Sequence, residues 1–111
     1  MNSRFTIKKN SDFHGIYSKG KNAVSREMVV YCKANKLGIT RVGYTASVKL
    51  GGAVVRNRIK RRLREVFRLN SSNIASGYDI IIVARSHAIN ADFQTLEAVF
   101  LSKIAELGII K

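Results

Sequence analysis

Residues 54–68 read VVRNRIKRRLREVFR. These fifteen positions carry seven Lys and Arg against a single acid, Glu65. At about 100° per residue, Val55, Ile59, Leu63, Val66 and Phe67 fall within an arc of about 120°, the width of a core-facing helical stripe. The stretch therefore reads as an amphipathic helix, roughly Ala53 to Leu69, that buries one side. Asn57, Arg61, Arg64 and Arg68 lie opposite the stripe at i, i+4, i+7 and i+11, with Lys60 beside them. Arg58 and Arg62 form a second basic row on the flank.

Stability alone does not explain such a helix. Like-charged pairs such as Arg58/Arg62, Lys60/Arg64 and Arg64/Arg68 each cost about 0.2–0.5 kcal/mol in an isolated helix, which Glu65 offsets in part with Arg62 and Arg68. Arg56 and Arg58 occupy the first turns, where the helix dipole favours acids. The mismatch is resolved if a phosphate sits at the helix start, held by free amide N–H groups, the Gly51-Gly52 approach and the nearby arginines. Arginine's planar fork donates two parallel hydrogen bonds to a phosphate, which lysine's ammonium does not imitate. The helix reads as a core face backed by a surface for a polyanion. The plainer alternative is a solvated run of charge.

Outward from the helix, the chain has no repeats, no low-complexity tracts and no proline. Asn10 or Ser11 is placed to cap a first short helix, with Phe13, Ile16 and Tyr17 at i, i+3 and i+4 and Gly20 at its end. EMVVYCKA, residues 27–34, reads as a strand with Met28, Val30 and Cys32 on one side and Val29, Tyr31 and Lys33 on the other. NKLG at 35–38 is a turn and ITRVGYTAS at 39–47 a second strand, and the two read as an antiparallel hairpin. A glycine-bearing loop, Val48 to Gly52, leads into the basic helix. Beyond it, Asn70 to Gly77 is a polar connection, and Asp79 to Ala84 is a strand apolar on both sides, hence central and covered. Asn90 is the expected cap of a last helix, whose Phe93, Leu96, Phe100 and Leu107 keep helical spacing and belong to the core. The order α-β-β-α-β-α is that of a small α+β chain, an α/β sandwich of one domain over residues 1–111 with helices against a mixed sheet.

The bulk composition narrows the function. Of 111 residues, 46% are hydrophobic and 24% charged, as in a folded globular chain. Twenty basic against seven acidic residues give a net charge of +13, an excess that favours nucleic acid or an anionic membrane. The longest apolar run, Ile80 to Ala84, is far short of the ~20 residues of a membrane span. MNSRFTIKKNSDF has no continuous apolar segment of the signal-peptide kind. One cysteine, Cys32, excludes an internal disulfide and fits a reducing cytoplasm. The acids Asp12, Glu27, Glu65, Asp79, Asp92, Glu97 and Glu106 form no D-x-D or E-x-x-E pattern, and His14, His87 and Cys32 have no zinc spacing. Neither an NTPase phosphate loop nor the aromatic motif of an RNA-recognition domain is present. The inventory is a polyanion surface with no catalytic or metal-ligating constellation, suited to assisting chemistry done elsewhere.

RVGYTASVKLGGAVVRNRIKRRLREVF, residues 41–67, resembles the signature of the protein subunit of bacterial ribonuclease P. Lys49, Gly51, Ala53, Val54, Arg56, Asn57, Lys60, Arg61 and Arg64 all fall in its pattern. KKNSDFHGIYSKG is similar to the family's first helix and REMVVYCK to its first strand, so the resemblance spans about residues 4–107. It implies a ribonucleoprotein that removes the 5′ leader from precursor tRNA, with the active site and its Mg²⁺ ions in a large RNA and no metal held tightly by the protein. It implies that Lys49, Arg56, Asn57, Arg58, Lys60, Arg61, Arg62, Arg64 and Arg68 face that catalytic RNA. A cleft between the first helix and the sheet would receive the single-stranded leader on Phe13, Tyr17, Val29 and Tyr31. The implied partners are the ribonuclease P RNA and precursor tRNA, with no membrane and no obligatory protein partner. The family also places the basic helix in a left-handed crossover between parallel strands, against the usual right-handed preference.

The residues agree with that cleft. Phe13 and Tyr17 are i, i+4 on one helix face, and Val29 and Tyr31 share a strand face; aromatic platforms stack on bases whatever the sequence, as leader binding requires. Ordinary core packing is the competing reading for all four. Two positions depart from the family: Tyr17 stands where Phe is usual, and Val48 where a basic residue is common. A ribosomal-type RNA-binding protein of the same architecture shares the charge but needs no leader cleft, and a nuclease active by itself is disfavoured by the scattered acids.

Overall fold

A computed structural model describes residues 6, 7 and 9–111; residues 1–5 and Lys8, within the N-terminal stretch read above, lie outside the described residues. Its elements in order are α1 (Asn10–Lys19), β1 (Lys21–Val24), β2 (Met28–Ala34), β3 (Arg41–Thr45), α2 (Ala53–Asn70), β4 (Tyr78–Ala84) and α3 (Phe93–Glu106). The four strands form one mixed sheet in the order β1-β2-β4-β3. β2 runs antiparallel to both β1 and β4, while β3 runs parallel to β4. The α+β architecture and the basic crossover helix between two parallel strands are as expected.

Two features differ from the sequence reading. The strands around NKLG are not a hairpin: β4 lies between them, with Tyr31 opposite Ile81 and Gly43 on the other side of Ile81. The cause is burial, because Ile80, Ile81 and Ile82 are all fully buried and need strand neighbours on both edges and cover on both faces. The antiparallel neighbour of β2 at its other edge is β1, a strand absent from the sequence reading. Its four residues, KNAV, include one buried side chain, Ala23, and too little β-forming material to announce a strand.

The cap positions also shift. α1 starts at Asn10 after Lys9 with no side-chain cap, although Asp12 in its first turn suits the dipole. It stops at Gly20, where a Cβ would lie 2.5 Å from the carbonyl oxygens of Cys32 and Ile16, so only glycine lets the chain turn directly into β1. α3 is capped by Asp92 rather than Asn90: the Asp92 carboxylate accepts the Thr95 amide at 2.7 Å.

The sheet has two unequal sides. On one, Met28, Val30, Cys32, Val42, Ile80 and Ile82 pack against Ile59, Leu63 and Val66 of α2 and Leu96, Phe100 and Ile104 of α3. This is the main core, and all five residues of the α2 stripe are buried or half-buried in it. On the other side, Ile81 meets Ile16 of α1 and Ile7, with Phe13, Tyr31 and Val83 half-buried around them. The Ile7 amide donates to the Val42 carbonyl at 3.0 Å, which lays this segment along the free edge of β3.

Candidate nucleic-acid interface

The outward side of α2 is built by what its inward side requires. With Ile59, Leu63, Val66 and Asn70 held in the core, the 3.6-residue repeat turns Asn57, Arg58, Arg61, Arg64 and Arg68 to the exposed side. Arg56, Lys60 and Arg62 are half-buried on the flanks, and Lys49 is exposed in the single 3-10 turn Val48–Leu50 that precedes the helix. The helix begins after Gly52, with no side-chain cap and no acid in its first turn.

Few of these cations are matched by the chain's own acids. Among the described residues, the one ion pair on α2 is Arg68 with Glu65, which also holds the Glu65 carboxyl below its usual range. Arg62 instead donates to the Ala91 carbonyl, tying α2 to the approach of α3. Arg64 lies over the Tyr44 ring, 5.7 Å from its centroid, and burial pushes the Tyr44 phenol up, so the ring is presented neutral. Five of the other six acids are engaged elsewhere. Asp79 and Asp12 face Arg41, Glu97 accepts from Asn70, Glu106 from Lys103, and Asp92 caps α3. Among the described residues, six of the seven acids are thus occupied, only Glu65 of them on the basic helix.

The opposite side of the sheet carries a second, different surface. Tyr17 of α1 and Tyr31 of β2 meet edge to face with ring centroids 4.8 Å apart, and Phe13 lies 6.3 Å from Tyr17. Phe13 rests on Gly43: a Cβ there would sit 2.8 Å from Cζ of the ring, so glycine makes the seat. Tyr17 is 40% exposed; burial of its hydroxyl raises its pKa, against an opposing hydrogen bond with Thr45. Val29 lies one row along the sheet, between Val24 and Val83. Three of the four sequence-derived cleft residues are therefore in one aromatic cluster, with Val29 half-buried on the adjoining row. Sequence reasoning missed Val24, Val83 and Thr45, which complete the Val29 row across all four strands. Their period-two alternation was visible, but only the strand order places them side by side.

Elsewhere the chemistry is sparse. Burial raises the Cys32 thiol, so it stays protonated in the core. Among the described residues no three His, Cys, Asp or Glu side chains gather as a metal site, and no helix is long and apolar enough to cross a membrane.

The comparisons with known proteins agree with one another. The family model described as Ribonuclease P matches residues 1–107. The ribonuclease P protein component of Caldanaerobacter subterraneus subsp. tengcongensis is 47% identical over 91 residues, covering 82% of this chain and 78% of that protein. The solved RNase P protein of Staphylococcus aureus superposes with a TM-score of 0.87 at 37% identity, covering 96% of this chain and 98% of the other. That of Thermotoga maritima gives 0.83 at 30% identity, covering 91% and 96%. By sequence and by fold, this chain belongs to the ribonuclease P protein components, the protein subunits of a tRNA-processing endoribonuclease complex.

Proposed function

We propose that the exposed side of α2 binds the ribonuclease P RNA and that the cleft between α1 and the sheet binds the single-stranded 5′ leader of precursor tRNA. The observation that carries this reading is the unmatched guanidinium surface of α2, backed by a core stripe that fixes its direction. A phosphate backbone supplies the charge that the chain's own acids do not. The aromatic cluster lies on the other side of the sheet, so the two RNA-facing surfaces do not compete for one polyanion. Neutralisation lets the leader and the catalytic RNA approach each other, and bases stacked on Tyr17 and Tyr31 add affinity without demanding a sequence.

Cleavage itself falls to the RNA in this reading. The Mg²⁺ ions are assigned to the RNA subunit, and no step of the protein's work runs through them. The protein contributes affinity and charge screening.

The test is the affinity of the reconstituted holoenzyme for precursor tRNAs with progressively shortened leaders. Affinity should fall as the leader is trimmed past the cleft. Tyr17→Ala should weaken precursor binding by about 5- to 150-fold, the worth of one stacked base, and leave mature tRNA binding unchanged; Tyr17→Phe should behave as wild type. Equal affinity for all leader lengths would instead favour an RNA-binding subunit with no leader site.

A further inference from the structure

The arginine side of α2 is not only a surface. Beside it lies a cavity of about 640 Å³, within the ~300–1,000 Å³ of small-ligand pockets. Its floor is apolar: Val42 and Ile74 are buried there, and Ile39 and Phe67 half-buried. Arg61, Arg64 and Arg68 form one wall. Two of those three are already positioned, Arg64 by the Tyr44 ring and Arg68 by Glu65.

The combination selects the occupant. An inorganic anion needs the guanidiniums but leaves the apolar floor unfilled. An apolar peptide side chain fills the floor but strips water from cations it does not match. A nucleotide of unpaired RNA offers both parts, a planar ring for the floor and phosphates on either side of it for the wall. The chain's net charge of +13 favours the same partner.

We infer that this cavity receives one unstacked nucleobase of the ribonuclease P RNA, with its flanking phosphates on Arg61, Arg64 and Arg68. The inference rests on the RNA-binding role proposed for α2 and deepens it, since part of that contact becomes insertion of a base. The half-buried Phe67 ring supplies the apolar contact. The Glu65 carboxylate, kept ionised by Arg68, accepts an N–H from the base edge.

Ser76 lines the cavity, is exposed, and makes no side-chain hydrogen bond among the described residues, so Ser76→Trp fills the space without deleting a contact. The experiment measures affinity of the full chain for its catalytic RNA with wild type, Ser76→Ala, Ser76→Trp and Arg61→Ala. In parallel, methyl NMR follows Ile39 and Ile74 of the wild type with that RNA and with polyphosphate, which carries the charge without the rings. Ser76→Trp should bind about tenfold more weakly, close to the loss of one stacked base, with an unchanged salt slope. Ser76→Ala should match wild type. The Ile39 and Ile74 methyls should move upfield with RNA and stay in place with polyphosphate. Methyls unmoved by RNA, moved equally by polyphosphate, or moved by raising the protein concentration alone would overturn the base insertion. If Arg61→Ala still weakens binding in that case, the proposed function of α2 survives; if it has no effect either, both fall.

Discussion

Asp79 shows how single residues set the working range of this fold. Burial alone would push its carboxyl up, but Arg41 donates to both oxygens at 2.9 and 2.8 Å and the Asn35 amide adds a third bond at 2.9 Å. The net result is a carboxyl held below its usual range. A group whose folded value is depressed contributes stability that is present above its unfolded value, about 3.9, and lost as pH falls through the folded one. The thermal midpoint should therefore hold from neutral pH to about pH 5 and then decline. Asp79→Asn should cost about 3 kcal/mol at pH 7, because it leaves Arg41 largely buried without its main partner, and should flatten the decline below pH 5. A variant as acid-sensitive as wild type would assign that sensitivity to other carboxyls. Gly43 is the second informative residue. Gly43→Ala places a Cβ against the Phe13 ring and should displace it, lowering the preference for precursor over mature tRNA in equilibrium binding; an unchanged preference would remove Phe13 from the leader site.

At the scale of elements, α2 separates binding from folding along its length. Arg61 is exposed with no ion pair or hydrogen bond among the described residues, whereas Arg62 donates to the Ala91 carbonyl. Arg61→Ala should weaken RNA binding with the unfolding midpoint unchanged, and Arg62→Ala should lower that midpoint by several degrees, about 1.5 kcal/mol for a lost charged hydrogen bond. Equal midpoints for the two variants in a thermal melt would contradict the division. Asp92→Ala should lower the midpoint in the same melt, because the Thr95 amide loses its cap. The helix α2 was legible because its apolar period and its charges point to opposite sides of one cylinder, and residues 53–70 differ from the expected span by one position. The pairing of strands was not legible in the same way. NKLG looks like a hairpin turn, and local pattern carries no information about a strand inserted later in the sequence. The continuous apolar run in β4 did contain the answer: a strand covered on both faces sits centrally, which with three strands read leaves no place for β2 and β3 to be neighbours. β1 carried no such clue, since Lys21, Asn22 and Ala23 have little intrinsic preference for strands.

The whole molecule is a basic chain whose acids are turned to internal use. Its sheet separates an arginine surface, above the main core, from an aromatic cluster where α1 packs on the opposite side. The aromatic residues of that cluster were visible in the sequence, but how they sit on the sheet depended on how closely α1 approaches it, which Gly20 and Gly43 permit. If the surplus charge serves phosphates, binding must release counterions in proportion to the contacts made. The direct measurement is the affinity of the protein for its catalytic RNA across a salt series, for wild type, Arg61→Ala and Arg64→Ala. Log K should fall steeply with log salt in wild type, by ~0.7–0.9 for every phosphate neutralised, and each substitution should reduce the slope by about one such step. A wild-type affinity that barely changes with salt, or variants that keep the full slope, would contradict the account.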